Sequence, residues 1–270
     1  MNDVPPTEIV AARAAAFRQL HTGPGMLVMP NAWDAASARA FAAAGFPAIA
    51  TTSGGVAQSL GYKDHEDAPA EEMLAAAGRI ARAVAIPVTI DLEAGYGLAP
   101  AELMRRVVGL GAAGCNIEDS DHHGAGILVS ADAQSERIAA CRAAARALGV
   151  DLVLNARVDV FIHHAGTPEE QLAEGIRRAQ LYREAGADCL YPIGLQDEAI
   201  LAAFVQAAKI PVNINTRRNG NTPLARFATL GIRRVTYATS LFRDLYGVLD
   251  GFAAGIKDGL PPEGVRVRSA

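Results

Sequence analysis

The chain has 270 residues, half of them hydrophobic, and carries 25 lysines and arginines against 29 aspartates and glutamates, for a formal charge of −4. That length suits one large α/β core, and the lack of a basic excess excludes the electrostatics of phosphate-backbone binding, so no nucleic-acid partner is expected. No apolar run reaches the roughly 18 residues of a membrane span and the N-terminal stretch lacks the pattern of a signal peptide, so the expected setting is cytoplasmic, with no membrane partner.

An N-terminal helix precedes eight short β-branched or apolar runs, each followed by an alanine-rich, helix-like stretch. In chain order the predicted strands are Leu27–Asn31, Ala48–Ser53, Val88–Glu93, Gly114–Asp119, Leu152–Asp159, Cys189–Gly194, Pro211–Thr216 and Arg233–Thr239. Glycine or proline closes a helix just before several of them, as in AAAGFPAI, AVAIPVTI and AAKIPVNI. Eight βα units predict a (β/α)8 TIM barrel; an open doubly wound sheet is the alternative, but no GxGxxG follows the first strand. The whole of 1–270 reads as one barrel domain, and about 241–270 as a C-terminal helical extension that packs on the barrel or on a neighbouring subunit. Gly54–Ala70 and Ser120–Gln134 are read as long connections of the lid or specificity kind. Cys115, Cys141 and Cys189 lack metal or disulfide spacing and read as reduced core thiols.

Ser53, Asp91, Glu93, Glu118, Asp119, Asn155, Arg157, Asp159, Asn213 and Asn215 all fall late in predicted strands that begin apolar. In a barrel that is the end where chemistry sits. Asp91 and Glu93 are two apart on one strand and point the same way, and Glu118 arrives from the next strand. Three converging carboxylates call for a hard dication, Mg2+ or else Mn2+, in preference to zinc. The competing reading is salt bridging to Arg157 or helix capping. The GYG after Glu93 allows a tight turn and a close backbone approach, which favours a site.

The segments MPNAWDAASARAFAAAGFPAIATTSGG, IPVTIDLEAGYG, CNIEDS and LNARVD together resemble the isocitrate lyase and phosphoenolpyruvate mutase superfamily, over about Met29 to Asp159; AGADCLYPIG and IPVNINT are similar more weakly. The resemblance implies a barrel, usually tetrameric with an exchanged C-terminal helix, that uses Mg2+ to bind a 2-oxo acid and stabilise its enolate. It places Asp91, Glu93 and Glu118 on the metal, directly or through water, with Asp64 in support. It gives the substrate carboxylate to Ser53, Gly54 and Gly55, and a substrate oxygen to Arg157, whose planar fork suits a carboxylate. For Arg157 the alternative is a salt bridge to Asp159 or Glu118. Trp33 either walls the pocket or packs in the core, and Asp34 reads as the cap of the first barrel helix. Asn213 and Asn215 either bind the distal end of the substrate or, for Asn213, form a polar layer inside the barrel.

The pattern departs from these relatives in the loop after the fourth strand. SDHHGAGILVSADAQ has neither the cysteine of the lyases nor the lysine and asparagine of the phosphonate enzymes. His122 and His123 are the candidate general acids, since imidazole titrates near neutrality, against the plainer reading of two solvated residues; His163 and His164 face the same choice. The expected function is a Mg2+-dependent lyase acting on a small 2-oxo or 2-hydroxy di- or tricarboxylic acid, like an oxaloacetate decarboxylase or a methylisocitrate or dimethylmalate lyase. The alternatives are phosphorus–carbon chemistry in the same site and a non-catalytic barrel that binds a 2-oxo acid. A homo-oligomer, dimer or tetramer, is expected.

Overall fold

The computed structural model describes residues 5–124, 127–163 and 166–259. Strands β1 (Leu27–Val28), β2 (Asn31–Ala32), β3 (Ile49–Thr51), β4 (Val88–Asp91), β5 (Gly114–Ile117), β6 (Val153–Arg157), β7 (Cys189–Tyr191), β8 (Asn213–Asn215) and β9 (Arg234–Thr236) are all paired in parallel. They form one run from β2 to β7 and another in the order β1-β9-β8. The expected first strand is thus split at Met29–Pro30, because proline lacks the N–H that would continue the ladder. The barrel still closes. Met29 N–H donates to the Val235 carbonyl, Ala50 N–H to the Pro30 carbonyl, and Leu190 N–H to the Pro211 carbonyl at a bridge between Leu190 and Val212.

Helices alternate with the strands: α1 (Thr7–Thr22), α2 (Ala35–Ala43), α3 (Ser53–Leu60), α4 (Ala70–Arg82), α5 (Pro100–Leu110), α6 (Ala131–Ala147), α7 (Pro168–Glu184), α8 (Glu198–Ala208), α9 (Leu224–Thr229) and α10 (Ser240–Lys257). Local chemistry sets several starts. Asp34 accepts the Ser37 N–H in a capping box at α2, and Thr167 forms a second box with Glu170 ahead of Pro168 at α7. α1 lies under the barrel, where Phe17 packs with Leu27, Met29, Ala48, Ala50, Ala113 and Val153. The larger apolar cluster fills the space between strands and outer helices, and Cys115, Cys141 and Cys189 are buried and free.

One connection differs from expectation. Gly54–Ala70 is not all loop, because Thr52 caps α3 by accepting the Gly55 N–H and the helix runs to Leu60, ended by Gly61 in the left-handed region. The TTSGG run puts a capping threonine directly at the strand end. Consequently the first N–H groups of α3 face the barrel mouth. The C-terminal extension forms α10, and residues 260–270 of it lie outside the described residues. Among the described residues no helix is long and apolar enough to cross a membrane.

Candidate active site

Parallel register lines up the polar residues of the mouth. Asp91 on β4 pairs with Asn116 on β5, Asn116 with Asn155 on β6, and Arg157 with Tyr191 on β7. Residues that pair across strands share a face, so these side chains ring the barrel axis. They enclose a small cavity of about 70 Å³ lined by Asn31, Thr52, Ser53, Asp64, Asp91 and Asn116 on one side and by Arg157, Tyr191, Ile193, Thr236, Ala238 and Thr239 on the other.

Asp91 is held at its base by its own N–H, which donates to Thr51 Oγ1, and its Oδ2 accepts the Ser53 N–H at 3.3 Å. Asp64 comes from the loop after α3 and approaches so closely that a Cβ on Gly54 would sit 2.6 Å from Asp64 Oδ2. Glycine at 54 is therefore a requirement of this site. Gly55 has a different duty, leaving room for the Thr52 and Trp33 side chains. Among the described residues the carboxylate oxygens that are buried without a hydrogen-bond partner are Asp64 Oδ1, Asp91 Oδ1 and Glu118 Oε2, the last facing Arg157 as an ion pair. Burial pushes the Asp91 carboxyl up, opposed by Arg157 and reinforced by Asp64.

Glu93 and Glu118 are engaged differently. Glu93 Oε1 accepts the Tyr96 hydroxyl at 2.9 Å and Oε2 accepts the Glu66 N–H at 2.7 Å. Desolvation, with repulsion from Asp64, Asp91 and Glu118, raises its carboxyl to about 8. Glu118 meets His122 through Oε1 and forms an ion pair with Arg157 Nη1 through Oε2; burial raises its carboxyl strongly, with Arg157 opposing. Among the described residues no group of three or more His, Cys, Asp or Glu side chains is gathered as a ready metal cage, because Glu93 and Glu118 have turned to nearby donors. Asp64 and Asp91 keep bare oxygens. An all-carboxylate donor set with two unpartnered buried oxygens and mutual repulsion fits a hard divalent cation such as Mg2+ or Mn2+.

Arg157 is anchored by both arms of a fork: Nε and Nη2 donate to Asp159 Oδ1 and Oδ2 at 2.7 and 2.6 Å. Both expected salt bridges are thus present, to Asp159 and to Glu118, and the arginine still lines the cavity. Asp159 is supported in turn. Its N–H donates to Asp119 Oδ1, and Ser120 Oγ donates to its carboxylate. Asp119 receives Tyr182 and Arg178 from α7.

Of the loop histidines, His122 reaches Glu118 and lies mostly buried, while His123 is 64% exposed and contacts Glu66 Oε2 at 2.8 Å. His163 sits on Ser120 Oγ at 2.9 Å; His164 lies outside the described residues. Two expected substrate residues stand elsewhere. Trp33 packs edge-on against Phe41 and Phe242 and faces an outer groove between α2 and α10, because its side chain leaves the strand end on the helix side. Asn213 is fully buried and shares hydrogen bonds with Thr236 inside the barrel, below the cavity lining.

Sequence reasoning missed Glu66, Tyr96, Asn116 and Tyr191 as site residues. His65, Glu66, Glu93 and Tyr96 all have positive φ, between 50° and 72°. Such strain in non-glycine residues clusters at functional sites, yet nothing in their identity signals it. For Tyr96 the flanking glycines of GYG were the available hint.

A parallel eight-fold barrel with buried acids, a forked arginine and a helix N-terminus at its C-terminal mouth defines a TIM-barrel protein with a small charged cavity at that mouth. The chain belongs to the phosphoenolpyruvate phosphomutase family, whose model matches residues 17–257, within the isocitrate lyase and phosphoenolpyruvate mutase superfamily. It is 32% identical over 238 residues to 2-methylisocitrate lyase of Escherichia coli K12, covering 84% of this chain and 77% of that one. A crystal structure from Burkholderia cenocepacia J2315, with a provisional assignment as a phosphonomutase, is 39% identical at a TM-score of 0.85, covering 90% of this chain and 99% of that one. The structure of oxaloacetate acetylhydrolase with the product oxalate is 28% identical at a TM-score of 0.81, covering 96% and 90%.

Proposed function

We propose that this protein is a Mg2+-dependent carbon–carbon lyase acting on a small 2-oxo or 2-hydroxy di- or tricarboxylic acid. The observation that carries the reading is the pair of buried, unpartnered oxygens on Asp64 and Asp91 beside the N-terminus of α3 and the anchored Arg157. Asp64 and Asp91 would hold the cation, with Glu93 and Glu118 adjoining. The cation would draw charge from the C1 carboxylate and C2 oxygen of the acid, easing loss of a bond at C3.

The chain's own groups supply the rest. The N–H groups at the start of α3 donate to the C1 carboxylate, as the Ser53 N–H now does to Asp91. Arg157, immobilised by Asp159, offers its remaining edge to a substrate oxygen without losing side-chain entropy on binding. In a 2-oxo acid such as oxaloacetate the C3–C4 bond breaks, C4 leaves as CO2 and the electron pair stays as the C2–C3 enolate; in a 2-hydroxy acid the C2 hydroxyl gives up its proton, the C2–C3 bond breaks, C2 becomes a carbonyl carbon and the pair passes to C3. In either case His122, whose Nε2 contacts Glu118 Oε1, would return a proton to C3. The Glu66–His123 contact ties the loop after β5 to the loop after α3, over the mouth.

Turnover of oxaloacetate, 2-methylisocitrate and 2,3-dimethylmalate with Mg2+, followed by product chromatography, tests the reading; inertness toward all three sinks it. A second reading, phosphorus–carbon chemistry in the same pocket, is favoured by the family model and the Burkholderia relative. An unchanged phosphorus NMR spectrum of phosphonopyruvate would dismiss it. The reading includes self-association through α10, supported by the exposed Leu245, Tyr246, Val248, Leu249 and Ile256 on that helix. Sedimentation of a monomer at micromolar concentration would refute that part.

A further inference from the structure

The barrel interior holds a cation that this mechanism leaves unused. Arg234 on β9 is completely buried, and among the described residues it has no carboxylate partner. Its Nη2 donates to Asn116 Oδ1 at 3.2 Å, its Nη1 lies 3.4 Å from His21 Nε2, its guanidinium stands 5.8 Å from the Phe17 ring centre, and among the described residues its Nε has no hydrogen-bond partner. An unpaired buried charge is costly, and an apolar side chain of similar length would fill the space without that cost. Packing alone therefore does not account for an arginine here.

Its one good acceptor is informative. Asn116 Oδ1 takes two donors, Arg234 Nη2 and, at 2.8 Å, Asn155 Nδ2. With Oδ1 committed to donors inside the barrel, the amide can point only its Nδ2 toward the cavity that Asn116 lines. Asn116 is paired in register with Asp91 and precedes Glu118 by two residues, so that donor opens between the two acids. We infer that Arg234 is a positioning residue: with Asn155 it orients Asn116 so that Nδ2 donates to an oxygen of the bound acid. The role rests on the oxo-acid reading above. Burial lowers the Arg234 pKa, and Asp91 is among the groups acting back on it, so its charge also reaches the acidic cluster from beneath.

The test is calorimetric binding of oxalate to the full chain with Mg2+ present, alongside thermal melting. Arg234→Met is expected to weaken oxalate about tenfold, the factor for one directed hydrogen bond, without lowering Tm. Arg234→Lys should recover part of the affinity. Asn116→Ser should weaken binding by the same factor, and the double variant Arg234→Met/Asn116→Ser should be no weaker than Asn116→Ser alone. Wild-type affinity in Arg234→Met overturns the role, as does additivity in the double variant. If Arg234→Met does not fold, Asn116→Ser decides, and wild-type affinity there overturns the role equally. Wild-type protein that binds no oxalate removes the oxo-acid reading and this role together, whereas wild-type binding matched by the variants removes this role alone.

Discussion

Asp159→Asn isolates the support of Arg157. Asp159 is fully buried and gives both carboxylate oxygens to the guanidinium at 2.7 and 2.6 Å, while Ser120 Oγ donates to Oδ2 at 2.5 Å. Asparagine keeps the shape but turns one acceptor into a donor, which must face either an arginine N–H or the serine hydroxyl. Removing one partner of a buried pair costs about 3–5 kcal/mol; because Glu118 still neutralises Arg157, the lower end applies. For a chain of this size about 3 kcal/mol corresponds to a Tm lower by about 6 °C or more. The pH dependence has a definite sign. Burial pushes the Asp159 carboxyl up, but Arg157 prevails and holds it below the usual carboxylate range. A depressed folded pKa gives stability that is present above the unfolded value, near 4, and lost as pH falls below it. Melting curves of both proteins should therefore differ most near neutral pH and converge in acid. A variant that melts with the wild type at neutral pH would show that the fork does not hold Arg157, and the positional account of that arginine would fall.

Three further outcomes follow from the same geometry. Asp91→Asn should raise the Tm of the metal-free protein by a few degrees, because it removes a buried carboxylate whose charged form is opposed by burial and Asp64, and should abolish Mg2+ binding; a lowered Tm with retained binding contradicts this. Gly54→Ala should gain about 1 kcal/mol of helix propensity, yet the new Cβ, 2.6 Å from Asp64 Oδ2 and 2.9 Å from Thr239 Oγ1, displaces Asp64, so Mg2+ titration should show roughly tenfold weaker binding at little change in Tm. His21 is buried, donates to the Phe17 carbonyl, and is held down to about 4 by desolvation and by Arg234. Its stabilising contribution is present above about pH 6.5 and lost on acidification, by about 2 kcal/mol between roughly pH 7.5 and 5. Unfolding free energies from urea titrations at pH 7.5 and pH 5 should fall by about 2 kcal/mol more in wild type than in His21→Gln, and equal falls in the two would refute it.

The identity of the acids and the arginine could be read from the strand ends, since a strand that begins apolar and ends in Asp, Glu or Arg has few structural uses for such an ending. The punctuation of glycine and proline counted eight units correctly, although Pro30 breaks the first strand; the expected third strand, Val88–Glu93, ends at Asp91 and Glu93 turns off it with φ 50°, so strand alternation does not carry to Glu93. Repeat rhythm and face alternation are local properties, carried by residues within a few positions of each other.

What the sequence could not decide was which neighbours those acids would choose. Glu93 takes Tyr96 and the Glu66 N–H, Glu118 takes His122 and is ion-paired with Arg157, and among the described residues Asp64 Oδ1 and Asp91 Oδ1 have neither a hydrogen bond nor an ion pair. Those partners come from three different loops and the end of β6, and donor–acceptor choice among them depends on closing the barrel, which no local pattern encodes. Trp33 shows the same limit: its place at the end of the first strand suits either pocket or core, and the docking of Phe242 from α10, over two hundred residues away in sequence, settles it for the core. The chain alone determined the fold, its acidic mouth and the chemistry those residue types favour. Tertiary structure alone decided which oxygens are left free to bind, because that depends on long-range competition for hydrogen bonds among buried groups.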